Sequence, residues 1–553
     1  MWTRNLLFLG LVLGGSAALR ASLAPPKLVP PSGRHAVVSA SVGASPGPRP
    51  DRYDGVPVPA VVPPSVVAEV DATFRGQWAA AGLTPARRAP DLAILRRLAL
   101  ALTGSIPSLE EIRRFEALPE SGRRARWVEG LLRDRRFADS WAERLARAYV
   151  GTEDGPFLIY RRRRFVSWLS DELLRNRPYD EIVRDLIADE GLWTDHPATN
   201  FVTVTFDPET KKPDAERLAA RVSRAFLGAR LDCARCHDHP FQPWTRGDFQ
   251  GLAAFFSGAR SGLTGIRDRS GDHLVTNPKT DRMDVFDPAV PSLPDLLPTE
   301  GHRRERLAQW LTDPRNPSLA RATVNRVWAL LFGRPLVEPV DDLPAAGDPP
   351  RVLVLLANDF IAHGYDLRRL IATIAATEVF ALDSAMEPEV TDAHESTWAA
   401  FPLTPLRPEQ VAGGVLQAAT LETIDAQSPI LVRLATASGR SQFVRRHGDT
   451  GEDEFDAHAA TIPQRLLMMN GDLVHEKTKA DLFNAASRIG WLAPTDRAAV
   501  ETAYLTVLTR WPTPEETAHF ERRLAGTRSK ERGRRMTDLF WTLVNASEFS
   551  WNH

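Results

Sequence analysis

The sequence predicts a mainly α-helical protein of two large lobes joined by an irregular connector, preceded by a signal peptide and a Pro-rich tether. Three observations carry that prediction. Apolar residues recur at helical spacing from residue 65 to 256 and again from 301 to 553. Between 257 and 300 that spacing lapses while Gly, Asp, Pro and Thr become frequent. Before Ser65 the chain is rich in Pro, Ser, Val and Ala and has little to bury.

The N-terminus reads as an export signal over residues 1–22. Arg4 supplies the positive start, and Leu6 to Leu19 form an apolar stretch shorter than the roughly 20 residues of a comfortable spanning helix. Ser16, Ala17, Ala18, Ala21 and Ser22 offer small residues for cleavage. An uncleaved N-terminal anchor is the alternative, and no other stretch approaches membrane length. Residues 23–64 (APPKLVPPSG, ASPGPRP, GVPVPAVVPPS) form an extended tether.

The first lobe, 65–256, opens with a helix N-capped at Ser65, in which Val66, Val70, Phe74 and Trp78 repeat on one face. LAILRRLALALTG ends at Gly104, suited to a left-handed C-cap, and Ser108-Leu109-Glu110-Glu111 makes a capping box for the next helix. Amphipathic WVEGLLRD, ADSWAERLARAYV, FVSWLSDELLRN and YDEIVRDLIADE follow. AERLAARVSRAFLGARLD then runs straight into the only two cysteines of the chain, and FQGLAAFF closes the lobe. Residues 257–300 are the connector, with room for a small irregular β insert. The second lobe, 301–553, contains RRERLAQWLT, LARATVNRVWALLFG, RVLVLLANDFIAHG, LRRLIATIAATEVF, PEQVAGGVLQAATL with Pro408 in the first turn, IPQRLLMMNGDLV, DRAAVETAYLTVLT and RRMTDLFWTLVNASEF. No fixed-period repeat is visible, which argues against a solenoid.

Composition is that of an ordinary globular chain, 43% apolar and 25% charged. With 69 Lys+Arg against 70 Asp+Glu there is no overall field to attract nucleic acid or an anionic membrane. H-E-x-x-H, the P-loop, G-x-G-x-x-G and a G-x-S-x-G elbow between a strand and a helix are all missing, so hydrolases built on those constellations are unsupported. No catalytic residue is assigned.

The chemistry concentrates in Cys233-Ala234-Arg235-Cys236-His237. C-x-x-C-H lets two thiols form thioethers with the vinyl groups of haem c while the adjoining imidazole binds the iron. Cys233, Cys236 and His237 are therefore the candidate cofactor-binding residues, with His237 the iron ligand. Phe241, Trp244, Phe249, Phe255 and Phe256 follow; they either wall a porphyrin or form ordinary helical core. His273, Met283, His302, Met468 and Met469 are conceivable sixth ligands, whereas His239 sits too close to His237 to reach the opposite haem face. A zinc site from Cys233, Cys236 and His239 is one alternative, and a disulfide between the cysteines is another. Arg161 to Arg164 can pair with haem propionates, but read more simply as a solvated helix face. Glu452, Asp453, Glu454 and Asp456 read as an acidic loop without EF-hand spacing. Asp341-Asp342 reads as a polar turn.

FLGARLDCARCHDHPFQPWTRGDFQGLAAFF resembles the signature of the planctomycete cytochrome-C-like domain, domain of unknown function 1549. So does the earlier LTP…ILRRLALALTGSIPSLEEIRRF…FADSWAERLARAYV…NRPYDEIVRDLIADEG. The second half is similar to its usual partner, domain of unknown function 1553, through RRERLAQWLTDPRNPSLARATVNRVWALLFGRPLVEPVDDL, IPQRLLMMNGDLV and LVNASEFSWNH. The resemblance implies a secreted or envelope protein, periplasmic or beyond, with an unsettled activity. It supports a c-type-haem redox or electron-transfer role with an unidentified envelope partner. The alternative is a non-enzymatic binding or structural protein whose cysteines serve the fold.

Overall fold

The computed structural model describes residues 64–152, 160–277, 280–345, 347–387, 389–430, 432, 474 and 484–553. The signal, the tether up to residue 63, the acidic run at 452–456 and IPQRLLMMNGDLV except Val474 lie outside them. The described chain is mainly helical, and every sheet in it is a two-stranded antiparallel pair. Among the described residues no helix is long and apolar enough to cross a membrane.

The first helix, Pro64–Ala80, buries Val66, Val70, Phe74 and Trp78, as their four-residue spacing demands. What it buries them against comes from the other half of the chain. Phe74 lies 6.0 Å, ring to ring, from Trp328 in the helix Ser318–Phe332. The two helical halves thus share one continuous buried core running from Val70 to Phe549.

The helix Asp91–Thr103 runs through that core and ends at Gly104, whose φ of 68° accommodates the left-handed cap. Its Arg96 and Arg97 are almost fully buried. Arg96 donates to the carbonyls of Val507 and Phe549, at 3.2 and 3.0 Å. Arg97 donates to those of Phe380, Leu382 and His553 and lies 3.7 Å over the Phe401 ring. Carbonyls take the place of water around both guanidiniums, and burial pushes Arg97 down to about 9. Ser108 and Glu111 close the expected capping box.

A buried ion cluster also joins the halves. Glu409, in the helix Pro408–Ala418, contacts Arg144 at 3.1 Å and Arg147 at 3.4 Å, both from the helix Arg135–Val150. Arg407 approaches the same carboxylate at 3.2 Å.

The connector contains two hairpins, Ala259–Gly262 with Gly265–Asp268 and His273–Thr276 with Met283–Phe286. The first of them is tied down on both sides. Arg304, fully buried, contacts Asp268 at 2.7 Å and the carbonyls of Ile187 and Asp189 at 3.0 Å. Gly265 has a φ of +89°, and a Cβ there would sit 1.9 Å from the Gly191 carbonyl oxygen, so only glycine lets this strand close on Gly191.

Candidate functional site

The cysteine motif is delivered by the helix Ala215–Val222. Asp214 caps its first turn, accepting from the amides of Glu216 and Arg217. The helix widens into a π turn, Ser223–Leu227, and stops at Gly228 with φ 63°. A short 3-10 turn, Leu231–Ala234, follows. Residues three apart share a face in such a turn. Leu231 and Ala234 are fully buried plugs, while Cys233, Arg235, Cys236 and His237 are exposed. Both cysteines are free thiols.

Charged side chains lock the base of this loop. Asp232 takes a two-pronged contact from Arg224, at 3.1 and 2.6 Å. Arg230 reaches Asp341 at 2.9 Å, Arg224 stands 3.7 Å from the same residue, and Asp342 accepts the Arg230 amide at 3.1 Å. The Leu343 amide donates to the Gly228 carbonyl at 2.7 Å. Asp341-Asp342 is therefore a clamp from the second half of the chain on the approach to the motif, not a mere polar turn. Partial burial, reinforced by Asp232, pushes the Cys233 thiol up, so it is held protonated at neutral pH.

The two histidines behind the cysteines are in opposite states. His237 Nδ1 lies 2.8 Å from the carbonyl oxygen of Asp238. A carbonyl only accepts, so Nδ1 carries the proton and the Nε2 lone pair faces outward. His239 Nδ1 instead accepts the amides of Phe241 and Gln242, at 3.1 and 2.9 Å, so in the neutral ring the proton is on Nε2. That tautomer offers no lone pair to a metal without a rearranged turn. Among the described residues no group of three or more His, Cys, Asp or Glu side chains converges as a metal site, and the trio Cys233, Cys236 and His239 is no exception.

Further supports surround the motif. Glu216 pairs with Arg235 at 2.5 Å, and Gln250 donates to Glu216 and to the Arg235 carbonyl, both at 3.0 Å. The Gln250 carbonyl oxygen meets His273 Nε2 at 2.7 Å. His273 is buried, and burial lowers its pKa, so it stays neutral with Nε2 engaged as donor. Met283 is exposed on its hairpin and His302 caps the helix Arg303–Leu311. Neither is brought to the motif by a recorded contact, and Met468 and Met469 lie outside the described residues.

The aromatic residues divide. Phe249, Phe255 and Phe256 are fully buried in the common core, Trp244 is half-buried, and Phe241 is 93% exposed. They do not form a continuous wall beside the cysteines. Arg162 pairs with Glu143 at 2.9 Å and Arg164 donates to the Thr194 carbonyl, which suits a structural role for that basic run. Sequence reasoning missed Arg224, Arg230, Asp232, Glu216 and Gln250. The clamp's aspartates lie over a hundred positions from the cysteines, and no local pattern joins them.

Residues 69–261 match the family model PSCyt2, described as a protein of unknown function (DUF1549). Residues 303–450 match PSD1, a protein of unknown function (DUF1553). The cysteine motif falls in the first segment and Asp341-Asp342 in the second. No curated protein and no solved structure matches the chain.

Proposed function

For a chain that belongs to the family pairing DUF1549 with DUF1553, we propose an exported redox or electron-transfer role built on haem c at Cys233, Cys236 and His237. The observation that carries this reading is the His237 ring. Its Nδ1–H is held by the Asp238 carbonyl, the hydrogen bond that haem-ligating imidazoles use to fix orientation and keep Nε2 free. The donor set fits the group: two free thiols three residues apart on an exposed surface, followed by that ring. Cys233 and Cys236 would hold the porphyrin by adding S–H across its two vinyl groups, each proton passing to a vinyl carbon. When bound, the group supplies one-electron exchange.

The rest of the site works by position. Leu231 and Ala234 anchor the loop, and the Arg224, Arg230, Asp232, Asp341 and Asp342 contacts fix its approach. Phe241 is the one large aromatic beside the motif left uncovered, available to lie against an edge of the ring. Haem c is attached outside the cytoplasm, in keeping with the signal-like residues 1–22. The cell envelope is therefore the proposed location.

Thioethers survive denaturation, so peroxidase staining of a denaturing gel tests the proposal. Protein exported beside c-type maturation machinery should stain, and the double change of Cys233 and Cys236 to Ala should abolish the stain. Unstained wild type whose thiols appear only after reduction would instead support a structural envelope protein with a disulfide; stoichiometric zinc would support the metal alternative.

A further inference from the structure

The helices Ala485–Leu492, Asp496–Leu508, Pro514–Leu524 and Ser529–Asn545 lie beyond both matched family segments. Between the end of the first of these and the starts of the second and last is an open cavity of about 830 Å³. Arg528, Lys530, Arg532 and Arg534 line it, with Asp496 as the sole carboxylate and Trp491 as the sole aromatic ring among the lining residues. Arg532 is already engaged, 2.5 Å from Asp496 and 2.6 Å from the Gly490 carbonyl. The side chains of Arg528, Lys530 and Arg534 make no ion pair or hydrogen bond among the described residues. Four cations thus face one carboxylate, and the three in surplus are the three left unpaired. The first turn of Ser529–Asn545 also lines the cavity and has no side-chain cap, so its amides add positive potential in the same place. Trp491 is 51% exposed, so its indole is open to a ligand in the cavity.

We propose that this cavity binds a phosphate or sulfate ester whose organic ring packs on Trp491. Arg528, Lys530 and Arg534 take the anion through charge-assisted hydrogen bonds, and the indole takes the ring. The volume suits a small ring-bearing ester. The site is separate from the cysteine motif and stands or falls independently of it.

Calorimetric titration of the full chain with phenyl phosphate, phenyl sulfate, inorganic phosphate and phenol tests the proposal. At least one ester should bind saturably, more weakly as salt rises, and phenol should not bind. Binding of one ester alone identifies which anion the site takes. The triple change Arg528→Ala, Lys530→Ala, Arg534→Ala should weaken the ester by about tenfold or more. It should leave the melting temperature unaltered, because all three side chains are exposed; Arg534→Glu alone provides a milder second variant. Trp491→Ala should weaken the phenyl esters and leave inorganic phosphate unchanged. No saturable heat with either ester, or equal binding by wild type and triple variant, overturns the proposal.

Discussion

Asp341 and Arg230 meet at 2.9 Å, and through this contact the second half of the chain grips the loop that leads into Cys233. The same aspartate stands 3.7 Å from Arg224, which itself holds Asp232, the residue next to the cysteine. The geometry of the motif thus depends on a residue more than a hundred positions away.

Asp341→Asn should loosen that loop. It leaves Arg230 and Arg224 short of counter-charge, at a cost of about 1–3 kcal/mol. The urea midpoint should fall, and alkylation of Cys233 in the haem-free protein should quicken. An unaltered midpoint and alkylation rate would show the clamp to be inert.

The two motif histidines should be distinguishable in solution. Nitrogen chemical shifts of the haem-free protein at neutral pH should report an Nδ1–H tautomer for His237 and an Nε2–H tautomer for His239. His237→Ala should leave stability within about 0.5 kcal/mol, since the ring is exposed and its bond is local. His239→Ala should cost more, about 0.5–1.5 kcal/mol, because two amides at the turn lose their acceptor. Identical tautomers would remove the distinction on which the choice of axial ligand rests.

Acid should weaken the joint between the halves. Burial acts to raise the Glu409 carboxyl, but Arg144, Arg147 and Arg407 outweigh it and hold the group far below the usual carboxylate range. A depressed folded-state pKa contributes stability that is complete above the unfolded value, about 4.3, and is lost as pH falls below it toward the folded value. Glu409→Gln should therefore lower stability at neutral pH and flatten its decline below about pH 4. Glu409→Ala, removing the carboxylate that buried Arg144 and Arg147 share with Arg407, should cost about 3–5 kcal/mol. A Gln variant with the wild-type acid profile would contradict this.

Phe249 and Phe241 should behave as opposites despite their shared motif. Phe249→Ala empties a fully buried site and should cost about 3–5 kcal/mol by denaturant unfolding. Phe241→Ala removes an exposed ring and should change stability by less than about 0.5 kcal/mol. Equal losses would mean that Phe241 is covered in solution.

What could be read in advance follows the range of the physics. The Val66, Val70, Phe74 and Trp78 stripe, the Ser108 capping box, the Gly104 stop and the Pro408 start are local rules, and each has its expected place. The connector is legible as a lapse in apolar spacing with room for a small β insert, but the seating of its first hairpin is not, because the anchors Arg304 and Gly191 lie outside it. That the two helical halves share buried core is not legible in the sequence, because packing between distant helices leaves no trace in either helix's own periodicity. The donors Cys233, Cys236 and His237 stand within five consecutive positions and are legible in the sequence itself. Their clamp is not, since Asp341-Asp342 looks like any polar turn until Arg224 and Arg230 are folded against it.

The central claim is covalent haem at the cysteine motif, and intact mass under denaturing conditions tests it most directly. Full-length protein exported alongside c-type maturation machinery should carry the mass of one haem beyond the polypeptide, and the Cys233→Ala, Cys236→Ala double variant should not. Wild-type protein at the bare polypeptide mass, with both thiols open to alkylation, would contradict the account.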